Sequence, residues 1–525
     1  MMKKWFFVFC CCRTIVGVTQ DINVLHYRYN LELNDRNDTL LGMAVVSFAL
    51  LSDQRTASLE LAGVNGQGKG MIVTSVSSGT YPLRFTHNAD KIIFDLPTNK
   101  MGDTLKVWIT YKGIPSDGLI ISKNKYGDRT FFADNWPNRA HFWIPCKDVP
   151  NDKASFEFTV TAPYRYKVIS NGTLVEEKEL GNAKKLTHWK EDTPLPTKVM
   201  VIGAAKFAVK TFNDSPPGIP VSAWVYEKDS TKGFHDYAPA PEILKFFSSY
   251  IAPYPYQKLA NVQSKTIFGG MENAGAIFYA ETSVTGKGGV EDLLAHEIAH
   301  QWFGDMASEK SFTHLWLSEG FATYLTDIYW QHKYGDEAFR KRLQNERNEV
   351  IQFVKTSNHP VVDSLSAYMD LLNANSYQKG AWILHMLRTE VGDSIFQKII
   401  QTYYQQYKGS NADTKDFEAV AEKVLGKELT WFFDQWLYRS GIPELSANWK
   451  SDGNKLKIEI KQKGNQPFQF PLEIGMVSAD GKMTVQKLLI KSKEEEFKID
   501  SSYKPVKLVL DPNTNLLYEG SLSPK

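Results

Sequence analysis

Two histidines four residues apart are the feature of this sequence best suited to chemistry. They are His296 and His300, in residues 296–300 (HEIAH) of the amphipathic run 290–303. On an α-helix, positions four apart differ by about 40° around the axis and roughly 6 Å along it, so both imidazoles point into the same space. They can share one zinc ion. Glu297 is turned away from the pair by about 100°, which suits a general base that acts on water beside the metal.

A third candidate metal ligand is Glu319, with eighteen residues between it and His300. It stands in a second helical segment, 315–322, whose other residues are mostly apolar. Burying a carboxylate is costly unless it is paired or binds a cation, so this setting favours a ligand. Two histidines, one carboxylate and an open fourth position are typical of a catalytic zinc site, since structural sites close all four positions. Without Glu319, an ordinary pair of surface or core histidines would be an equally good interpretation.

The combined pattern resembles the gluzincin zinc aminopeptidases, the group that contains aminopeptidase N and the leukotriene hydrolase. The shared features are HExxH, a glutamate eighteen residues further on, and the flanks 300–305 (HQWFGD) and 316–322 (WLSEGFA). The resemblance runs from near Tyr27 to the end of the helical region. It implies a metallo-aminopeptidase with one zinc ion per chain, acting on peptides with a free N-terminus. Zinc-activated water would then hydrolyse the first peptide bond, with Glu297 as general base.

A segment before the metal helix resembles the GxMEN motif of the same family. Its members are Gly269, Gly270, Met271, Glu272 and Asn273. In the family this motif lies along the substrate as an edge strand and its glutamate binds the free ammonium group, so the resemblance assigns that role to Glu272. A carboxylate at a fixed distance from the metal can hold a terminal ammonium only when the first peptide carbonyl lies over the metal. The alternative is that Glu272 is an ordinary acidic residue of a turn.

Two further positions are compared with the family residue by residue. Many relatives have a glutamine twelve residues before the cysteine of a Pro-Cys-x-Asp-x-Pro segment, which lies here at 145–150. That position is Asp134 in this chain, which could face the ammonium as a charged acceptor, unless the stretch 136–139 packs differently. Tyr377 matches the family tyrosine that donates a hydrogen bond to the tetrahedral oxyanion, so the resemblance assigns it a catalytic role.

The chain divides by pattern into β-rich, helical and again β-rich parts. Its 525 residues are too many for one hydrophobic core. Alternating runs predict strands from Val24 to about Lys206, helical periodicity follows Tyr237, and strands return from Ile442. With the resemblance, this implies a multidomain α+β fold with an N-terminal β saddle domain, a thermolysin-like α-helical catalytic domain and a C-terminal β-sandwich. We place these three domains at 21–208, 209–441 and 442–525.

The short β-rich part after Ile442 also implies a three-domain form of the family. About eighty residues remain there, so we do not expect the large helical fourth domain of many relatives, and we expect an open cleft. Lysine plus arginine (61) and aspartate plus glutamate (59) nearly cancel, so no net field draws the chain to nucleic acid. We expect no nucleic-acid partner and no transmembrane helix. The oligomeric state is undetermined.

The first twenty residues resemble the opening of a secretory signal. Basic residues up to Lys4 precede the apolar run 5–12, which is too short to cross a membrane as a helix. Arg13 interrupts the run, and no clear cleavage site follows. We expect a signal segment at 1–20 and export to a periplasmic or extracellular location. Lipid attachment through one of the cysteines 10–12 and a cytoplasmic location stay open as alternatives.

Two other functions compete with the aminopeptidase. A thermolysin-like endopeptidase would share the zinc chemistry but would not need a fixed ammonium anchor. A binding or scaffold protein with a retired active site would have lost a ligand or the base, whereas this chain has all of them. The preferred side chain of the cleaved residue has no motif of its own, because that pocket is assembled from distant segments.

Overall fold

The computed structural model describes residues 21–464 and 466–525. The predicted signal segment, 1–20, lies outside the described residues, as do three of the four cysteines. The remaining one, Cys146, is a buried free thiol. No helix in the described ranges has the length and apolar character needed to cross a membrane.

The N-terminal part is made of strands separated by short turns. The fifteen strands are Ile22–Glu32 (β1), Leu40–Leu50 (β2), Thr56–Glu60 (β3), Gly70–Ser78 (β4), Tyr81–Pro82 (β5), Phe85–Asn88 (β6), Lys91–Asp95 (β7), Thr104–Ile114 (β8), Leu119–Lys123 (β9), Arg129–Ala133 (β10), Lys153–Pro163 (β11), Lys167–Ser170 (β12), Thr173–Gly181 (β13), Lys184–Pro196 (β14) and Ile202–Ala205 (β15). They form an eight-stranded sheet in the order β13-β14-β11-β1-β2-β8-β4-β5 and two smaller sheets, β12-β15-β10-β9 and β3-β7-β6.

The large sheet anchors a segment that contains one of the predicted substrate-binding residues. Its buried face stacks Tyr27 on Tyr29 and Tyr29 on Phe158, with ring centroids 5.5 and 5.1 Å apart. The Tyr29 hydroxyl donates a hydrogen bond to the carbonyl oxygen of Pro145 over 3.0 Å. The sheet therefore anchors the segment between β10 and β11, and the first residue of that segment is Asp134.

The central part combines a small sheet with most of the helices. Its elements are Phe207–Thr211 (β16), Val221–Tyr226 (β17), Ser230–Asp236 (α1), Ala240–Tyr250 (α2), Leu259–Ser264 (β18), Gly270–Met271 (β19), Ala276–Ala280 (β20), Glu291–Ala299 (α3), Ser308–Glu309 (β21), Trp316–Val354 (α4), Gly380–Val391 (α5), Asp393–Tyr407 (α6), Asn411–Ala412 (β22), Thr414–Leu425 (α7) and Thr430–Leu437 (α8). The sheet order is β16-β17-β18-β20-β19, so the two-residue β19 forms an edge, antiparallel to β20.

Helix α3 is shorter than the amphipathic run 290–303 suggests. It ends at Ala299, and the next residues continue in a tighter turn in which the Gln301 N–H bonds the carbonyl oxygen of Ile298 over 3.2 Å. The chain then turns at Gly304, whose φ is 119°. A Cβ there would lie 2.3 Å from the Ser318 hydroxyl oxygen, so only glycine allows this approach between the end of α3 and the start of α4.

The C-terminal part consists of two sheets. Its strands are Glu444–Asp452 (β23), Lys455–Gln462 (β24), Phe470–Val477 (β25), Met483–Ile490 (β26), Glu494–Asp500 (β27), Lys507–Leu510 (β28) and Glu519–Pro524 (β29), ordered β27-β24-β23-β29 and β26-β25-β28. The three-part arrangement agrees with the predicted fold class. The predicted boundary at 208/209 falls inside β16, although the sheets change between β15 and β16. The domain limits stay predictions.

Candidate active site

Three side chains converge between the end of α3 and the first turn of α4. The Nε2 atoms of His296 and His300 lie 3.1 Å apart, and each lies 3.2 Å from Oε2 of Glu319. Ligand atoms of a tetrahedral zinc with bonds of about 2.0–2.2 Å are separated by roughly 3.3 Å, so the three atoms have the spacing of such a site. This donor set therefore fits zinc.

The tautomer of His300 is set by contacts at its other ring nitrogen. Nδ1 lies 3.2 Å from the carbonyl oxygen of Phe303 and 3.1 Å from the hydroxyl of Ser318. In the neutral ring that metal binding requires, an Nδ1 proton donated to that carbonyl leaves the lone pair of Nε2 directed at the candidate metal position. The turn that ends α3 thus orients one of the ligands.

Strong electrostatic coupling joins these side chains. Burial lowers the pKa of His300, but the charge and hydrogen bond of Glu319 outweigh it and raise the pKa to about 10. Burial raises the pKa of Glu319, but the His300 charge and the hydrogen bonds from both histidines leave it well below the ordinary value. The carboxylate therefore stays ionised, which is the state that a metal needs.

Glu297 lies beside the candidate metal ligands but outside their cluster. Burial raises its pKa well above the ordinary value, and the neighbouring carboxylates Glu272 and Glu319 add to the shift. A Cβ added to Gly270 would lie 2.2 Å from Oε1 of Glu297, so this carboxylate lies directly against the backbone of β19. The carboxyl group is thus held between helix α3 and the edge strand.

Glu272 follows β19 and lines the cavity that also contains the three candidate metal ligands. Burial raises the pKa of its carboxyl, while the charges of His300 and Lys198 partly offset the effect. Oε1 is buried and has no hydrogen-bond partner among the described residues. Lys198 is itself paired with the buried Glu309, at 2.6 Å. A buried carboxylate oxygen without a partner is costly, so a cationic group bound in the cavity would stabilise it.

Gln301 connects the metal helix to this strand, and sequence reasoning did not single it out. Its side chain is fully buried; Nε2 donates to the carbonyl oxygen of Glu272 over 2.6 Å and to Asp305 over 3.0 Å. Its Oε1 accepts from the N–H of Gly275 over 2.7 Å. The signal was available, because Gln301 directly follows His300 in the flank that carries the resemblance.

Tyr377 reaches the cavity from the turn before α5. Its ring stacks on His296 with centroids 5.9 Å apart, and its hydroxyl is close enough to Glu319 for that carboxylate to act on the phenol. The approach depends on small residues, because a Cβ on Gly320 would lie 2.9 Å from the backbone of Gly380. Burial, followed by the charges of nearby carboxylates, raises the pKa of the phenol well above its ordinary value.

Asp134 does not line the cavity, which corrects the expectation that it faces the substrate. Its carboxylate accepts hydrogen bonds from the N–H of Ile267 at 2.9 Å and the hydroxyl of Thr266 at 3.2 Å, and pairs with Arg139 at 3.0 Å. The side chain is fully buried. Oδ2 accepts both hydrogen bonds and Oδ1 faces the Arg139 guanidinium, so Asp134 fixes the loop that leads into β19.

The cavity has a volume of about 260 Å³ and brings most of the candidate residues together. It is lined by Gly269, Gly270, Met271, Glu272, His296, Glu297, His300, Glu319 and Tyr377 together with four apolar side chains, Trp136, Phe268, Leu293 and Leu372. Asn273 does not line it and is fully buried. No sequence motif indicated the four apolar residues, because they come from three separate segments and from helix α3.

Comparisons with known proteins point to one family. The family described as "Peptidase family M1 domain" matches residues 236–436, and "Peptidase M1 N-terminal domain" matches residues 23–199. Aminopeptidase M1 of Arabidopsis thaliana is 26% identical over 83% of this chain, and probable aminopeptidase 2 of Sulfurisphaera tokodaii is 29% identical over 88%.

A solved structure shows the same fold. The crystal structure of Legionella pneumophila aminopeptidase A in complex with aspartic acid superposes with a TM-score of 0.82 at 17% identity, over 96% of this chain and 60% of that one. The predicted fold class is confirmed. This chain spans little more than half of its curated relatives, 52% of the Arabidopsis and 59% of the Sulfurisphaera protein.

Proposed function

Because the chain belongs to peptidase family M1, within the gluzincin aminopeptidases that its motifs resemble, we propose that it is a zinc-dependent aminopeptidase. It hydrolyses the first peptide bond of peptides that have a free amino end. The names of the Arabidopsis and Sulfurisphaera relatives support an aminopeptidase, and the His–His–Glu cluster supports a metalloenzyme.

One observation carries this proposal: a cluster of three candidate metal ligands and a carboxyl with one oxygen that has no hydrogen-bond partner among the described residues share one cavity. The cluster is His296, His300 and Glu319, and the carboxylate is Glu272. An ammonium group paired with Glu272 would place the peptide's first carbonyl toward the cluster. Such a site would leave room for only one residue before the bond that is cut.

The metal would be held by Nε2 of His296, Nε2 of His300 and Oε2 of Glu319. Two imidazoles and a carboxylate are the protein ligands of several catalytic zinc sites, which keep a fourth position open. When bound, zinc would supply Lewis acidity toward water and toward the oxygen of the scissile carbonyl.

Glu297 is the proposed proton carrier. Its carboxylate is close to the ligand cluster yet outside it, and burial raises its pKa. A carboxyl with a raised pKa can take the proton of the attacking water and later release it to the departing amine. The contact with the backbone at Gly270 holds the carboxylate beside the strand along which the peptide would lie.

Tyr377 is the proposed hydrogen-bond donor to the carbonyl oxygen as negative charge develops there. Its raised pKa keeps the phenol protonated at neutral pH, so the O–H is available. A donor positioned in this way typically lowers the barrier by about 3 kcal/mol. The stacking of its ring on His296 fixes the hydroxyl near the metal cluster.

The proposal is tested with one short peptide in two forms, with a free and with an acetylated amino end. Mass spectrometry over time should show the free form losing residues one by one from its amino end and the acetylated form intact. Internal cleavage of both forms would instead support the endopeptidase alternative.

The scaffold alternative is tested by removing the metal. A strong chelator should abolish the stepwise cleavage, and added zinc should restore it. Purified protein that contains no zinc and takes up none would support a scaffold with a retired site.

A further inference from the structure

The cavity has polar side chains around the candidate metal ligands and apolar side chains elsewhere. Outside the metal ligands, Glu272, Glu297 and Tyr377, all of the side chains that line it are apolar: Trp136, Phe268, Met271, Leu293 and Leu372. Among the described lining residues there is no lysine or arginine. A peptide's first side chain would therefore meet only hydrocarbon and aromatic surface.

We infer that the enzyme selects peptides whose first residue has a large apolar or aromatic side chain, received by a wall formed by Trp136, Phe268 and Leu372. We call these three residues the apolar wall. The inference rests on the proposed function, because it takes Glu272 as the partner of the ammonium group.

Two residues of the apolar wall adjoin the segment that carries Glu272, because Phe268 lies four residues before it and packs against Trp136 with ring centroids 5.8 Å apart. The ring of Phe312 contacts Trp136, with centroids 5.6 Å apart, and lies 5.9 Å from Nζ of Lys198. The charge of Lys198 acts in turn on the carboxyl of Glu272. The first side chain of a peptide branches from the carbon that carries the ammonium, so in a peptide anchored at Glu272 this side chain would lie near the apolar wall.

Leu293 lines the same cavity from helix α3. It lies one helical turn before Glu297 on α3, and a Cβ added to Gly269 would be 3.9 Å from its Cδ1. The apolar wall is thus supplied by loop segments, and Leu293 adds an apolar side chain from α3 beside the Phe268–Gly269 segment.

The apolar wall is preorganised by contacts behind it. Trp136 and Phe268 pack edge to face at 5.8 Å, and the Arg139 guanidinium lies 5.7 Å from the Phe268 ring centroid. Asp134 pairs with Arg139 and binds the N–H of Ile267, the residue before Phe268. Side chains held in this way lose little entropy when a ligand binds.

Acidic first residues would be disfavoured by the same cavity. Glu272, Glu297 and Glu319 already concentrate carboxylates there. Two cations behind the lining are engaged elsewhere: Arg139 by Asp134 and by Asp117 at 3.1 Å, and Lys198 by Glu309 at 2.6 Å. A buried side-chain carboxylate without a partner costs several kilocalories per mole, whereas an apolar group gains free energy by burial.

The test is a set of aminoacyl 4-nitroanilides carrying Phe, Leu, Ala, Lys, Asp or Glu, assayed with the zinc-loaded protein. We expect kcat/KM for Phe and Leu to exceed that for Asp and Glu at least about 100-fold, and that for Ala about 10-fold. A preference for acidic or basic residues, or equal rates for all, would overturn the inference.

Variants separate the apolar wall from general effects. Phe268→Ala should lower kcat/KM for Phe and Leu at least about tenfold while changing that for Ala less than about threefold. Leu365→Ala, which removes a side chain that is 88% exposed, is the matched control and should leave the profile unchanged. An unchanged Phe/Ala ratio in Phe268→Ala would contradict the proposal.

A binding measurement keeps the inference testable apart from catalysis. In zinc-loaded Glu297→Gln, phenylalaninamide should bind at least about tenfold more tightly than the amide of aspartic acid, measured by calorimetry. If no reporter is cleaved, the proposed function fails while this comparison still decides the preference. If reporters are cleaved but aspartic acid amide binds as tightly, only the apolar wall is wrong.

Discussion

Nε2 of Gln301 donates a hydrogen bond to the backbone carbonyl oxygen of Glu272 over 2.6 Å. This bond joins the residue that follows the candidate ligand His300 to the residue proposed to bind the peptide's amino group. The amide is fully used, because Oε1 accepts from Gly275 and Nε2 also donates to Asp305. The Gln301 side chain thus links the end of α3 to the segment that carries Glu272.

Gln301→Glu should separate the two sites without removing a ligand. The new carboxylate oxygen would face the carbonyl oxygen of Glu272 and the carboxylate of Asp305, which are both acceptors. We expect kcat/KM for free-amine substrates to fall at least about tenfold, with unfolding free energy reduced by about 1–3 kcal/mol. Activity and denaturation are measured on the same preparations.

Gln435→Glu is the matched control for this loss. Gln435 is a buried glutamine that donates to the carbonyl oxygen of Gln469 over 2.7 Å and accepts from its N–H over 2.8 Å, in a region that does not line the cavity. It should lose similar stability and keep its kcat/KM. Equal activity losses in both variants would show that Gln301 is only structural.

Gly270→Ala tests the contact between β19 and Glu297. The added Cβ would lie 2.2 Å from Oε1, so the carboxylate must move away from its position. We expect kcat to fall by about 100-fold, since loss of a positioned base typically costs about 10²–10⁴-fold. Zinc content should not change. Gly289→Ala, where a Cβ would meet no atom within 4 Å, should be silent.

Substitutions of Glu297 and of Glu319 should affect zinc binding differently. Glu297→Gln should keep one zinc per chain and lose about 10²–10⁴-fold in kcat, because it removes the proton carrier and no ligand. Glu319→Gln should lose zinc affinity as well as activity. Metal analysis after dialysis distinguishes the two, and zinc loss in Glu297→Gln would contradict the assignment of roles.

A buried pair of carboxyls should make stability depend on pH. Asp327 and Glu346 lie on the two halves of α4, which meet at the non-helical Gly335. Burial raises the pKa of Asp327 to about 6 and that of Glu346 well above its ordinary value, despite Arg342 beside them. Above pH of about 4 the folded protein then binds more protons at this pair than the unfolded chain does, so stability falls as pH rises through this range.

Glu346→Gln should remove much of that loss. Relative to the unchanged protein, we expect the variant to gain on the order of 1 kcal/mol of unfolding free energy at about pH 8 and less at about pH 5. Glu337→Gln, an exposed glutamate on the same helix, is the control. A gain of equal size at both pH values would show that the pair does not titrate as described.

The sequence predicts how the candidate metal ligands lie relative to one another, but little of what surrounds them. His296 and His300 are placed by helical spacing alone, so their convergence follows from the pattern. Glu319 could be associated with them because its apolar setting makes an unpaired carboxylate costly. Alternating and helical hydrophobic periods indicated the strands and helices of the three parts of the chain.

What depends on packing between distant segments was not predictable. Asp134 occupies the position of an amine-binding residue in the family. In this chain its carboxylate instead pairs with Arg139 and accepts a hydrogen bond from the N–H of Ile267, in the loop before β19. The apolar wall combines residues 136, 268 and 372, which no periodicity connects. The signal segment at 1–20 and the export that it implies stay predictions.

The central claim, that Glu272 holds the amino end of a peptide whose first bond lies over the metal site, is tested most directly by one ratio. The ratio compares kcat/KM for a leucine reporter with a free amine and for its acetylated twin, in zinc-loaded protein. The account predicts a ratio of at least about 30, since leaving one partner of a buried charge pair unpaired costs about 2–5 kcal/mol. Equal kcat/KM for the two reporters would contradict it.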